Sequence, residues 1–194
     1  MQKHATAIAQ GDVIVVYVDQ CHLVWQDACG YVWGPSSQRM TVPITNQRER
    51  QTYYGAIEPL SGEVTALLTE AGNGYWTCIF VEYLRQHYAG KRLIICWDGA
   101  SYHRGSEMQE YLEAVNLGYP PDDWPVTCIR FAPNAPQQNP IEDVWLHAKT
   151  FVRKNRQRCD ATFGSIKLLF EEALENLTFD FKKLRMYIQD LQLI

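Results

Sequence analysis

The sequence predicts an α/β domain built on a mixed β-sheet with helices on both faces. Three observations carry that expectation. The first third of the chain reads as short strands separated by turn residues. Arg92–Trp97 (RLIICW) is almost continuously apolar, the pattern of a central strand covered on both sides. From Tyr75 onward the apolar period changes from two to about 3.6, so helices begin to alternate with strands.

Val13–Val18 (VIVVYV) is a β-branched run closed by Asp19. His22–Trp25 and Tyr31–Trp33, on either side of Asp27-Ala28-Cys29-Gly30, read as strand, turn and strand. Thr52–Glu58 and Glu63–Thr69, joined across Pro59-Leu60-Ser61-Gly62, make a second hairpin. Ile79, Phe80, Tyr83, Leu84 and Tyr88 recur at helical spacing between the boundaries Gly72-Asn73-Gly74 and Gly90. The central strand ends at Asp98, and a helix follows from Ser106 to Val115. Val126–Phe131 is a further strand, followed by a proline-rich loop over Ala132–Asn139, helices at 140–156 and 162–176, and a helical piece toward the C-terminus. Residues 116–125 (NLGYPPDDWP) form a loop-like insertion inside the domain. No repeat, low-complexity tract or long linker divides the chain, so residues 1–194 are expected to form a single domain of ribonuclease H-like layout.

Composition narrows the functional classes. With 46% hydrophobic and 21% charged residues in 194, the chain is neither disordered nor collagen-like. Its apolar runs are too short to cross a bilayer and no charged segment leads into a signal core, so a soluble intracellular protein is expected. The six cysteines (21, 29, 78, 96, 128 and 159) form no Cys-x-x-Cys pair and the five histidines no helical His-x-x-x-His, which argues against structural zinc. Net charge is −4, but unevenly placed: −7 over residues 1–144 and +3 over 145–194. Either a phosphate-binding face on an acidic body or a solvated helical surface accounts for that asymmetry.

Asp19 and Asp98 each close a strand. If those strands are parallel neighbours, both carboxylates emerge at one carboxyl edge, where open α/β sheets place their ligands; singly, each is equally a turn former or a helix cap. Glu142 has a local explanation too: Asn139 as N-cap, Pro140 at the first helical position and Glu142 two further on resemble a capping box. Ile141, Val144, Trp145, Ala148 and Val152 form the buried stripe of that helix, however, and Lys149, Arg153 and Arg156 follow Glu142 along one flank. Three acids backed by three cations suit an enzyme acting on a phosphodiester: acids hold divalent metal, which polarises phosphate and activates water, while Lys and Arg neutralise the neighbouring backbone. Three carboxylates in one place repel without bound cations, so a metal requirement follows from the charge count.

These residues resemble the mariner-type DDE transposases, in particular the bacterial insertion-sequence group often called IS six-thirty. The resemblance runs from about Val13 to Arg156. It rests on Val18-Asp19, the hairpin Gly30–Pro35, the hairpin around Gly55-Ala56, the segment Trp97–Arg104 (WDGASYHR) and the segment Ala135–Trp145 (APQQNPIEDVW). It implies a ribonuclease H-like fold with Asp19, Asp98 and Glu142 as catalytic, metal-binding triad. It also implies two Mg²⁺ ions, replaceable by Mn²⁺, with Asp19 shared between them. The implied reaction is nicking of double-stranded DNA at transposon ends, then transfer of the 3′-hydroxyl strand into target DNA without a covalent protein intermediate. A homodimer and a cytoplasmic, nucleoid-associated place in a bacterium are further implications. His103 matches a family histidine that either contacts DNA or braces the loop; Arg104 either touches phosphate or is solvated.

The chain departs from the family in three ways. Gln20 and Gly99 follow the two aspartates where Glu and Asn are usual, which leaves the triad intact and alters its surroundings. The 43 residues between Asp98 and Glu142 exceed the family norm, and the 116–125 insertion accounts for the excess. Only 18 residues precede Asp19, too few for a helix-turn-helix reader, so a separate helix-turn-helix subunit, an excised core or a remnant is expected. The rival readings are a plain metal-dependent nuclease and a non-catalytic interaction module descended from a transposase.

Overall fold

The computed structural model describes residues 2–29, 35–37, 48–100, 103–132, 139–160, 162–176 and 184. Five strands, β1 (Val13–Val24), β2 (Arg50–Ile57), β3 (Val64–Thr69), β4 (Arg92–Trp97) and β5 (Val126–Arg130), form one sheet in the order β3-β2-β1-β4-β5. β1, β2 and β3 pair antiparallel, whereas β4 and β5 continue the sheet parallel to β1. The helices are α1 (Ala5–Ala9), α2 (Gly74–His87), α3 (Ser106–Asn116), α4 (Ile141–Lys154) and α5 (Phe163–Asn176).

The alternation of side chains along β1 feeds two cores. Val13, Val15, Tyr17, Cys21 and Leu23 join the stripe of α4 and the apolar face of α5. Val16 and Val18 point the other way, onto Phe80, Val81 and Leu84 of α2 and Met108 of α3. The expected mixed sheet with helices on both faces is what forms, and the apolar run of β4 is buried because β4 has a strand on each edge and a packed core on each face. All six cysteines are free, and burial pushes the Cys21 thiol up to about 11, which keeps it protonated and inert. No helix among the described residues is long and apolar enough to cross a membrane.

Local chemistry explains the boundaries. Asn73 caps α2 by accepting the Trp76 amide at 3.0 Å. In the second hairpin the Glu58 carboxylate accepts the Leu60 and Ser61 amides at 3.0 and 2.6 Å, and Gly62 takes φ +75°, a conformation that side chains disfavour. The 116–125 insertion is closed at its base by Asn116, buried, whose amide donates to the Val126 carbonyl and whose oxygen accepts the Val126 amide. The loop thus bulges into solvent while β5 keeps its register with β4.

Three local expectations are corrected or fall outside the described residues. β1 does not break after Asp19; it runs through Val24 because β2 pairs with it as far as Arg50, and Trp25–Ala28 then forms a single 3-10 turn. The partner strand expected at 31–33, the loop at 133–138 and the helical piece toward the C-terminus lie outside the described residues, Leu184 apart. The capping box at 139–142 does not form: no side chain caps α4, and the Asn139 amide crosses to the Val18 carbonyl.

Gly55 of β2 lies directly opposite Asp19 of β1, and the Trp145 ring of α4 rests on it. A Cβ at this position would stand within 2.5 Å of Trp145 Cζ2 and nearer still to Cη2, two atoms of a buried ring with no room to retreat. Gly55→Ala is therefore expected to destabilise the fold by roughly 1–3 kcal/mol and to shift Trp145 fluorescence. Urea unfolding followed by tryptophan emission tests this, and an unchanged midpoint would show that the ring can yield.

Candidate active site

The strand register assembles the acids. Tyr17 and Cys96 are partners in the parallel pair β1–β4, and both point to the α4–α5 face. Two residues further along each strand, on the same face by the period of two, stand Asp19 and Asp98. Asp98 lies just beyond the end of β4, exposed, while Asp19 is recessed within β1.

Glu142, exposed in the first turn of α4, reaches the same edge because α4 is fastened along β1 and its partner β2 at three points. The Asn139 Nδ2 amide donates to the Val18 carbonyl at 3.3 Å, immediately before Asp19. Trp145 then covers Gly55, opposite Asp19. Finally Lys149 Nζ donates to the His22 carbonyl at 3.0 Å and pairs with Asp27 at 3.1 Å. The start of the helix and its successive turns thus meet β1, its partner β2, and β1 again.

The electrostatics of Asp19 report the outcome. Burial pushes its carboxyl up to about 7, the neighbouring Gln20 backbone amide opposes the rise, and the negative charges of Asp98 and Glu142 both add to it. The charges of Asp98 and Glu142 thus reach Asp19, behind the larger effect of its burial. Their donors are all carboxylate oxygens, the set that suits a hard divalent cation. Among the described residues no group of three or more His, Cys, Asp or Glu side chains is placed so that it could hold a metal ion.

His103, expected either on DNA or in the loop, is buried in the loop. Its ring stacks on Trp97, and Nδ1 lies 3.2 Å from the Asp98 carbonyl and 3.1 Å from Asp98 Oδ1. Burial lowers its pKa, against the pull of Asp98, which keeps it neutral at pH 7. A DNA-contact role is corrected: the ring has no surface to offer.

The cations behind Glu142 are also occupied. Lys149 is the bolt between α4 and β1 rather than a free phosphate ligand, because the uninterrupted β1 runs beneath it and presents a carbonyl. Arg153, half-buried, donates Nε to the Lys149 carbonyl, and Arg156 donates to the Cys159 and Asp160 carbonyls. Arg104 is exposed beside His103. Trp97 and Trp145 are packing residues, as their apolar surroundings suggest. Sequence reasoning missed Asn139, whose placement before Pro140 reads as a cap when its partner is 121 residues away, and Gln20, whose buried Nε2 has no hydrogen-bond partner among the described residues.

A mixed sheet in this strand order with helices on both faces is the ribonuclease H-like fold. The chain belongs to the DDE superfamily endonucleases, whose family model matches residues 14–162. Solved structures share the fold. The Mos1 mariner paired-end complex with Mn is 14% identical with a TM-score of 0.58, over 98% of this chain and 59% of that one. The catalytic core domain of BIV integrase is 14% identical with a TM-score of 0.52, over 92% and 95%. The HTLV-2 integrase catalytic core domain in complex with magnesium is 13% identical with a TM-score of 0.54, over 84% of each chain. The chain spans 46% of the chain it matches in a simian T-cell lymphotropic virus intasome. No curated protein matches it in sequence.

Asp19 titrates near 3.8 when unfolded and near 7 when folded, so between those values the native state holds the extra proton and stability falls as pH rises. Asp19→Asn removes that dependence. Relative to wild type, the metal-free variant is expected to gain roughly 1–3 kcal/mol by pH 8 and to show no gain near pH 4. Thermal unfolding of both proteins across pH decides it; a gap that does not vary with pH would mean that Asp19 is not the buried acid described.

Proposed function

We propose that this chain is the catalytic core of a DDE transposase, with residues 1–194 as one domain and Asp19, Asp98 and Glu142 as the acids that hold two divalent ions, Mg²⁺ or in its place Mn²⁺. The observation that carries the reading is the seating of α4 beside β1, which with the β1–β4 register brings Glu142, Asp98 and Asp19 toward one end of the parallel strands, in a chain that the DDE superfamily endonuclease model matches over residues 14–162. Asp19, which feels both neighbours, is assigned as the shared ligand, and Asp98 and Glu142 as one further ligand each. When bound, such ions supply Lewis-acid polarisation of the phosphodiester and activation of water or a 3′-hydroxyl. The chain's own part is to hold the acids in register through the β1–α4 fastening and to keep Asp19 recessed. There its charge becomes favourable only when a cation offsets it.

The substrate assigned is double-stranded DNA: nicking at transposon ends, then transfer of the 3′-hydroxyl strand into target DNA, with no covalent bond to protein. Arg104 and the remaining donors of Arg153 and Arg156 are assigned to the DNA backbone. Pairing of two ends calls for a homodimer, and reading of the ends for a helix-turn-helix unit outside residues 1–194. Such a core acts in the bacterial cytoplasm, at the nucleoid. The family's description as endonucleases favours one second reading, a plain metal-dependent nuclease.

Nicking of supercoiled plasmid is the test. With Mg²⁺ or Mn²⁺ the wild type is expected to nick, with EDTA it is not, and Glu142→Gln, which keeps shape and removes charge, is expected to lose at least about 100-fold in rate. Joining of the 3′-hydroxyl product to a second DNA distinguishes transposase from nuclease. A folded wild type that neither nicks nor joins when supplied with DNA ends and Mn²⁺ would sink the enzymatic reading.

A further inference from the structure

Asp98 stands outside regular structure, followed by Gly99, around which an added Cβ would meet nothing within 4 Å. A carboxylate in such a place should sample many orientations, and a metal ligand that does so binds weakly. Here Oδ1 is held twice. The Ala100 backbone amide donates to it at 3.0 Å, and His103 Nδ1 lies 3.1 Å away while also facing the Asp98 carbonyl at 3.2 Å. The His103 amide donates to the Ala100 carbonyl at 3.1 Å and closes the same turn.

His103 is itself immobile. Its ring lies on Trp97 with centroids 4.2 Å apart and planes 6° from parallel, and its side chain is only 2% exposed. Trp97 is the last residue of β4 and almost fully buried, so the stack carries the rigidity of the sheet out to the loop. Both partners of Nδ1 are oxygens that can only accept, which assigns the proton to Nδ1 and leaves Nε2 as the acceptor. With Oδ1 against the Ala100 amide and beside Nδ1, the Asp98 side chain is still 55% exposed, which leaves Oδ2 for a ligand.

We propose that His103 is a positioning residue: anchored on Trp97, it holds Asp98 by Oδ1 so that Oδ2 is presented to a divalent cation shared with Asp19 and Glu142. The inference rests on the acid-centre reading of the previous subsection and adds the element that orients one of its ligands. It also accounts for a histidine so close to the acids yet closed to DNA.

The test is Mn²⁺ binding to the full chain by titration calorimetry. His103→Phe keeps an aromatic ring for the stack and removes the donor; His103→Asn restores an N–H near the Nδ1 position without the ring. The expected result is a loss of about 10–100-fold in Mn²⁺ affinity for His103→Phe, with most of it regained in His103→Asn. Equal affinity of His103→Phe and wild type overturns the proposal. So does a His103→Asn as weak as His103→Phe, which would make packing the cause. Should His103→Phe fail to fold, ¹⁵N spectra of the wild-type imidazole decide: a proton on Nδ1 is expected, and a proton on Nε2 overturns it. A wild type that binds no Mn²⁺ overturns the acid-centre reading and this inference with it, whereas normal wild-type binding with an unaffected His103→Phe overturns this inference alone.

Discussion

The seating of α4 along β1 is the constraint on which the acid centre depends. Two of the acids are placed by strands whose register is set by backbone hydrogen bonds, but the third arrives on a helix, 123 residues after Asp19 and 44 after Asp98. A helix turned by one residue moves a side chain by about 100° around its axis, so Glu142 faces Asp19 only if the helix is held in rotation as well as in position. A ring over a glycine, an amide on a strand carbonyl and a lysine on another carbonyl supply that hold with three different kinds of contact.

The arrangement is held against electrostatic opposition. Placing a recessed carboxyl beside two others works against folding, and that opposition is offset by the apolar stripe of α4, whose five inward residues are all buried. Stability and site geometry thus share the same helix: its inner face supplies the hydrophobic energy, and its first turn carries the charge that this energy holds in place. Such division within one element is common where a functional group must sit in an unfavourable place.

The elements were legible in the sequence to the extent that their signals are local. Arg92–Trp97 reads as a buried strand because its apolar run is unbroken, and that is what forms; α2 was bounded by glycines that sit at its ends. The continuity of β1 through Val24 was not legible, since Asp19 closes the apolar run Val13–Val18 and the strand read at His22–Trp25 looks separate until the pairing with β2 is known. At the site, Asp98 does follow the end of a strand, whereas Asp19, read as the end of one, lies within β1. The roles of Asn139, His103 and Lys149 were not legible, because each is defined by a partner distant in sequence or by the stacking of rings, and the local reading of each was a sound one.

The stapled loop after α3 has a bearing beyond the fold. Asn116 bonds to both backbone groups of Val126, so the nine residues between them leave and return through a closed neck. What is held constant here is the pairing of one side-chain amide with the backbone of Val126, and the count of residues between the two does not enter it. Counting residues from one acid to the next is consequently a poor ruler for this architecture: a family sorted by that count would place this chain apart, although the spatial frame around Glu142 owes nothing to it. The same neck marks a port where foreign sequence can be spliced in with the sheet left undisturbed.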